Sequence, residues 1–327
     1  MTEKFKWGVI APGRIAHTFA EGVQSISDAE ICAVASSNQE RADTFAKKFN
    51  IPRAYDSYET LVNDSAVDGV YISSLHHQHF AHTMLALEAG KPVLCEKPFT
   101  VNATETEKLI SIAKVKNLFL MEALWTRYLP IYGIVRKWLD EGRIDEIVLL
   151  TSTFGIHPER DEKSRILDPN LAGGSLLDIG IYNLSISNWV MGEYPTSFDV
   201  HALIGNTGVD ELLAGVLLYE NGIVSQFSCN FLSENRNDFF IYGSKGHIRI
   251  HSNFWGSTQA TLSVDGHEHT ETAPFAASGF EYQTIEAMRC IRAGLLESPG
   301  ISHADTLSMM RLMDSIRAEI GLKYPFE

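Results

Sequence analysis

Basic residues are in short supply in this 327-residue chain: 27 lysines and arginines stand against 41 aspartates and glutamates, a formal net charge of −14. That balance argues against a nucleic-acid partner or an anionic membrane surface, since both need clustered positive charge. It leaves room for an anionic cofactor, because a helix N-terminus and a few local cations hold phosphate even on an acidic protein. Cysteine is scarce too. Cys32, Cys95, Cys229 and Cys290 lie far apart, with no C-x-x-C pair, and three of them sit in apolar runs. They read as reduced core thiols rather than disulfides or zinc ligands. No stretch approaches the ~18 uninterrupted apolar residues of a membrane span. Met1-Thr2-Glu3-Lys4-Phe5 opens the chain without an apolar targeting segment. The expectation is a cytoplasmic protein of globular composition, 45% hydrophobic and 21% charged, long enough for two domains.

What is present centres on Val93-Leu94-Cys95-Glu96-Lys97-Pro98. Val93 to Cys95 suit a short buried strand. Pro98 cannot donate to a sheet ladder and pushes Lys97 toward an extended conformation, so the strand stops there. Ligands of an open parallel sheet sit outside the carboxyl ends of its strands, which is where Lys97 would deliver an ammonium. A surface ion pair between Glu96 and Lys97 is the plainer reading of the same residues.

Around this run, strands alternate with helices. Lys6 to Ala11 reads as a first strand, and Ala11-Pro12-Gly13-Arg14-Ile15-Ala16 as a glycine turn opening a helix. A strand, a tight turn and a helix start make a dinucleotide phosphate site, with backbone N–H groups and the helix dipole facing the pyrophosphate. The usual G-x-G-x-x-G/A is incomplete: Ala11 replaces its first glycine, while Gly13 stands where the backbone must approach the phosphate. After the second strand come Ser36-Ser37-Asn38 and Arg41 instead of an acid. Hydroxyls and a guanidinium suit a 2′-phosphate better than a bare ribose hydroxyl, so NADP is expected over NAD. A solvated helix charge is the alternative for Arg41. The fourth strand, Gly69 to Ser73, opens into Ser74-Leu75-His76-His77-Gln78-His79. No carboxylate or cysteine accompanies these histidines, so no metal is expected; the loop, with Ser74, His76 and His79, is assigned to the nicotinamide ribose. Six strands give a doubly wound parallel sheet closing near residue 123.

From residue 124 to 327 the pattern changes. A helix near Ile131–Glu141 precedes β runs at Ile147–Phe154, Ser197–Ile204, Leu212–Tyr219, Ile223–Phe231, Asp238–Tyr242, His247–His251 and Gln259–Val264. Glu220-Asn221-Gly222 and Ser244-Lys245-Gly246 are hairpin turns. The second domain is therefore expected to be α+β: a large, mostly antiparallel open sheet covered on one face by helices. Its other face would suit a homodimer. The last helices, Glu281–Leu295 and Ala304–Ile320, are expected to pack back on the first domain. Within this half stands Gly173-Gly174-Ser175-Leu176-Leu177-Asp178-Ile179-Gly180-Ile181-Tyr182, expected to form one helix from Gly174 to Met191. Asp178 and Tyr182 share a helical face, and the paired glycines would let the helix start approach a ligand. An acid and a phenol so placed suit proton transfer; a capping acid and a half-buried core tyrosine are the alternative.

Together the glycine turn at 11–16, Glu96-Lys97-Pro98 and Gly173-Gly174…Asp178-Ile179-Gly180…Tyr182 resemble the glucose-fructose oxidoreductase / inositol dehydrogenase (Gfo/Idh/MocA) superfamily over essentially the whole chain. Met121-Glu122-Ala123-Leu124-Trp125-Thr126-Arg127 and Leu177–Tyr182 resemble its dimeric dihydrodiol dehydrogenase / NADP-dependent D-xylose dehydrogenase branch. The resemblance implies hydride transfer between a nicotinamide and a secondary alcohol or carbonyl of a sugar, polyol or trans-dihydrodiol. It implies Lys97 beside the reacting carbinol and Tyr182 as acid/base, with Asp178 orienting Lys97 or a substrate hydroxyl. It further implies Glu96, Trp125 and Arg127 at the cofactor, and Trp125, Phe154, Trp255 and Phe280 as substrate walls. Three departures stand. An inositol-type H-x-x-D would need His and Asp at positions held by Tyr182 and Ser185; Ala11 replaces a glycine; and His77 stands where the branch has proline. A non-catalytic dinucleotide-binding sensor of the same fold is the rival reading; retention of Lys97, Asp178 and Tyr182 argues against it.

Overall fold

The computed structural model describes residues 3–327. Its first strands and helices alternate: β1 (Phe5–Ile10), α1 (Arg14–Gln24), β2 (Ala29–Ala35), α2 (Gln39–Phe49), β3 (Arg53–Tyr55), α3 (Tyr58–Val62), β4 (Gly69–Ile72), α4 (His79–Glu88), β5 (Val93–Glu96), α5 (Ala103–Lys116) and β6 (Leu120–Ala123). Polar caps start several of these helices. Asn38 accepts the Arg41 N–H at 3.0 Å, Ser57 that of Thr60 at 3.2 Å and Asn102 that of Glu105 at 2.9 Å, each satisfying a donor with no intrahelical partner. The strands form one parallel sheet in the order β3-β2-β1-β4-β5-β6. Being covered on both faces, they read as continuous apolar runs; Trp7, Val9, Ile10, Val70, Tyr71, Ile72 and Val93 are wholly buried. The strand order reverses between β1 and β4, where Ile10 pairs with Ile72, and Ile72 pairs in turn with Cys95. The turn after β1, the loop after β4 and Glu96-Lys97 therefore emerge side by side at the crevice where such sheets bind ligands.

The next elements are α6 (Pro130–Asp140), β7 (Ile147–Gly155), a π-helical turn (Leu176–Gly180), α7 (Ile181–Met191), β8 (Ser197–Ile204), β9 (Asp210–Leu218), β10 (Val224–Asn230), β11 (Phe239–Gly243), β12 (Gly246–Ile250), β13 (Gln259–Val264) and β14 (His267–Thr272). The eight strands run β14-β13-β12-β11-β7-β10-β9-β8, with one parallel pairing, β7 to β10. The expectation of a mostly antiparallel sheet holds, with an additional edge strand, β14. The single helix expected over Gly174–Met191 is two segments: Gly174 sits outside at φ +122°, and the π turn precedes α7. Helix α7 is buried nearly throughout and is pinned to the sheet by polar contacts. Asn183 Nδ2 donates to Ser152 Oγ at 2.8 Å, and the Ser187 and Ser225 hydroxyls meet at 2.8 Å.

Two helices follow, α8 (Phe280–Arg292) and α9 (His303–Glu319). The fold separates into two compact units, Met1–Trp125 with Ala276–Met310 and Thr126–Phe275 with Arg311–Glu327. In the first, α8 lies so close to α1 that a Cβ on Gly22 would sit 2.9 Å from the Glu281 nitrogen. All four cysteines are free and buried. Among the described residues no helix is long and apolar enough to cross a membrane, and no cluster of side chains could hold a metal ion.

Candidate active site

In the first unit the turn after β1 is shaped as a cradle. Ala11 takes φ +61°, the conformation its missing glycine would adopt without cost. Gly13 has an ordinary φ of −81°, is exposed, and a Cβ there would meet nothing nearer than 3.9 Å. The protein's own packing gives no reason for a glycine at this place; a ligand pressed against the backbone does. Arg14 and Ile15 follow in the first turn of α1, whose leading N–H groups lack intrahelical acceptors. These residues fit a dinucleotide pyrophosphate. Past β2, Arg41 Nη2 donates to Ser37 Oγ at 3.0 Å, while Ser36 is buried and its hydroxyl accepts from the Asn38 N–H at 3.4 Å. Arg41 and Ser37 are exposed, so a guanidinium and a hydroxyl stand together at the start of α2.

The loop after β4 is held from inside. His79 is fully buried, its Nδ1 lying 2.7 Å from the Pro98 carbonyl and its Nε2 3.0 Å from that of Ser74. Burial pushes its pKa down to about 4, while the two facing carbonyls favour a donating ring. With both nitrogens turned to backbone carbonyls, the ring bridges Ser74 and Pro98. His76 and Ser74 stay half-buried, and Ser74 Oγ is buried without a hydrogen-bond partner. Glu96 is buried and accepts the Tyr71 hydroxyl at 2.6 Å; burial pushes its pKa up to about 7. It too is an internal support for the half-buried Lys97. Beyond the cis Lys97–Pro98 peptide, Glu122 accepts the Phe99 N–H at 3.0 Å and the Thr306 hydroxyl at 3.2 Å. Trp125 and Phe280 pack together with ring centroids 4.9 Å apart. Glu281 accepts three backbone N–H groups, from Ala277, Ser278 and Gly279, and so fixes the turn that presents Phe280.

In the second unit, Phe154, Trp255 and Tyr182 come together. The Phe154 and Trp255 rings stack at 3.4 Å, and Tyr182 lies 5.8 and 6.4 Å from them. Asp178 lies within the π turn, a distortion frequent at functional sites. Its carboxylate is gripped by Arg165, Nη1 to Oδ1 at 3.2 Å and Nη2 to Oδ2 at 3.3 Å. Arg127, in the turn following Trp125, keeps its Nε buried without a hydrogen-bond acceptor.

The paired glycines are required by the fold. A Cβ on Gly173 would lie 2.8 Å from the Ile166 carbonyl oxygen, and one on Gly174 would collide with Asp210 Oδ1. Asp210 caps the helix start, accepting the Ser175 hydroxyl at 2.8 Å and the Leu176 N–H at 2.7 Å, while Tyr324 donates to the Gly173 carbonyl at 2.7 Å. Burial outweighs these bonds and pushes Asp210 up to about 6. Asp210→Ala is expected to cost about 1–3 kcal/mol, because two buried donors lose their acceptor; a urea midpoint lowered at unchanged slope checks this. Sequence reasoning missed Arg165 and Asp210. The only local signals were a charged loop, Glu159-Arg160-Asp161-Glu162-Lys163, and an acid at a strand start.

Known proteins share this architecture. A family model described as "Oxidoreductase family, NAD-binding Rossmann fold" matches residues 5–124, and the C-terminal domain model of the same family matches residues 132–249. A trans-1,2-dihydrobenzene-1,2-diol dehydrogenase from Mus musculus is 34% identical over 98% of this chain and 98% of its own length. Its Xenopus tropicalis counterpart is 33% identical over 98% and 99%. A 3-ketoreductase from Actinomadura kijaniata, crystallised with NADP and TDP-benzene, superimposes with a TM-score of 0.86 at 25% identity, over 97% of this chain and 98% of that one. With a Rossmann cradle in one unit, an acid–phenol helix against an open sheet in the other, and relatives alike from end to end, the chain belongs to the Gfo/Idh/MocA oxidoreductase family.

Proposed function

We propose that the protein is an NADP-dependent dehydrogenase of a secondary alcohol, on a trans-dihydrodiol or a cyclic sugar or polyol, with Tyr182 as the acid/base. The observation that carries this reading is the setting of Tyr182, a phenol against the stacked Phe154–Trp255 pair and one helical turn from the arginine-gripped Asp178. Aromatic walls accept both a sugar face and an apolar diol. The relatives named as dihydrodiol dehydrogenases support the diol.

A bound nicotinamide would supply the acceptor for the carbinol hydride. Tyr182 takes the hydroxyl proton as that C–H bond breaks, and a C=O bond forms. A free phenol titrates near ~10, too high for a good base. The Lys97 ammonium is assigned to stabilise the developing alkoxide. Asp178 orients a second substrate hydroxyl. Gly13, Arg14 and Ile15 hold the pyrophosphate, Ser36, Ser37 and Arg41 the 2′-phosphate, and the Ser74–His76 loop, Trp125 and Arg127 the nicotinamide half; Phe280 and Trp125 wall the substrate. His79 and Glu96 act from behind, by holding Pro98, Ser74 and the end of β5.

The choice of NADP rests on Arg41. Arg41→Ala is expected to weaken NADPH binding roughly 10- to 100-fold, the scale of one lost charge-assisted phosphate contact, and to leave NADH binding unchanged. Cofactor fluorescence titrations check both. Turnover of a panel of trans-diols, sugars and polyols with NADP⁺ and NAD⁺ tests the reading as a whole; no oxidation of any of them would end it. We also assign a second copy of the chain to the sheet face away from α7, where Leu149, Val216, Val224, Phe240 and Tyr242 remain only half-buried.

A further inference from the structure

We infer that Arg165 is a positioning residue of this reaction, and that residues 156–168 form a strap which holds it on Asp178. The inference rests on the role given to Asp178 above. It starts from a closed circuit of contacts around the Asp178 helix turn. Arg160 forks onto Glu211 with two bonds of 2.8 Å. The Glu211 side chain is 4% exposed, so the clasp is anchored in the sheet. Five residues on, Arg165 forks onto Asp178. Its neighbour Ile166 accepts the Gly174 N–H at 2.9 Å, and Asp168 accepts the Gly173 N–H at 3.0 Å. Asp210, adjacent to Glu211, closes the circuit by capping Ser175 and Leu176. The start of β9 thus holds the helix with one acid and the strap with the next.

The chemistry of the fork says what the strap does. A guanidinium presents two parallel donors that match a carboxylate edge to edge and fix its plane, which a lysine cannot do. Asp178 is 8% exposed, and a buried carboxylate is tolerated when paired. The fork therefore holds the Asp178 carboxylate in one plane. Arg165 is 39% exposed, so small solutes reach the place it occupies.

The test is Arg165→Ala measured beside Asp178→Asn, with steady-state kinetics, cofactor affinity, unfolding midpoint and chemical rescue by millimolar guanidinium. We expect kcat of Arg165→Ala to fall roughly 10- to 100-fold, the cost of a misoriented catalytic group, with cofactor affinity and midpoint near wild type. Added guanidinium should recover part of the kcat, and Arg165→Lys should recover less than the whole. Wild-type kcat in Arg165→Ala alongside an impaired Asp178→Asn would overturn the inference and leave the proposed function standing. Wild-type kcat in both would remove the role of Asp178 and the inference with it. A lost midpoint with no rescue would make Arg165 a structural ion pair only, also overturning it. Should Arg165→Ala not fold, full kcat in Arg165→Lys gives the same negative answer.

Discussion

Replacing Tyr182 by phenylalanine is expected to lower kcat roughly 10²- to 10⁴-fold, the usual worth of a positioned acid or base, while the protein stays folded and cofactor-binding. The substitution removes one oxygen. The ring keeps its neighbours, Phe154 at 5.8 Å and Trp255 at 6.4 Å, and its helix keeps the Asp210 cap and the Asn183–Ser152 bond. No cavity of consequence opens, so the unfolding free energy should move by no more than about 1.5 kcal/mol, the net worth of one hydroxyl bond. The loss in rate corresponds to about 3–5 kcal/mol of transition-state stabilisation, far beyond any packing effect of the change. Stopped-flow hydride transfer and NADPH fluorescence titration on the same preparation separate the two quantities. Near-wild-type turnover with cofactor bound would take the acid/base role from Tyr182.

Gly13→Val is the second large effect, in affinity instead of rate. The Gly13 backbone lies at φ −81°, which any residue adopts, and its Cβ direction is open to 3.9 Å. The fold should therefore tolerate valine at a cost of about 1 kcal/mol or less, that of a poorer helix N-cap. A pyrophosphate lying against the backbone cannot tolerate it, because the new methyl groups occupy the space where the anion meets the first-turn N–H groups. NADPH affinity should fall at least tenfold, and by roughly 100-fold if the phosphate is wholly displaced. Unaltered affinity would move the cofactor away from the turn after β1. A collapse in stability would show that Gly13 is there for the fold.

The architecture was legible where burial writes a pattern. Continuous apolar runs marked the parallel strands, and Ser197–Ile204 and Gln259–Val264 appear in the structure with the bounds read from the residues. Strand β14 left no such mark. His267-Glu268-His269-Thr270-Glu271-Thr272 is an almost fully exposed edge strand, and charged edges of this kind discourage pairing with other chains while erasing the alternation that identifies a strand. The candidate site was legible in part. Lys97, Asp178 and Tyr182 stand in local motifs, but what holds them does not. The partner of Asp178 lies 13 positions upstream in a charged loop, and the cap of Ser175 lies 35 positions downstream. Both pairings exist only once the second unit has folded. His79, a residue type associated with ligands, is buried here between two backbone carbonyls, a setting its local sequence does not reveal.

The central claim is that Lys97 and Tyr182 act on one transition state, and a double-mutant cycle tests it most directly. Lys97→Met, Tyr182→Phe and the double variant would be compared in single-turnover hydride transfer from a trans-dihydrodiol to NADP⁺. The expected result is strong non-additivity, the double variant losing little more than the worse single one, as for groups that work as a unit. Independent losses that multiply, or a single variant with undiminished hydride transfer, would contradict the claim.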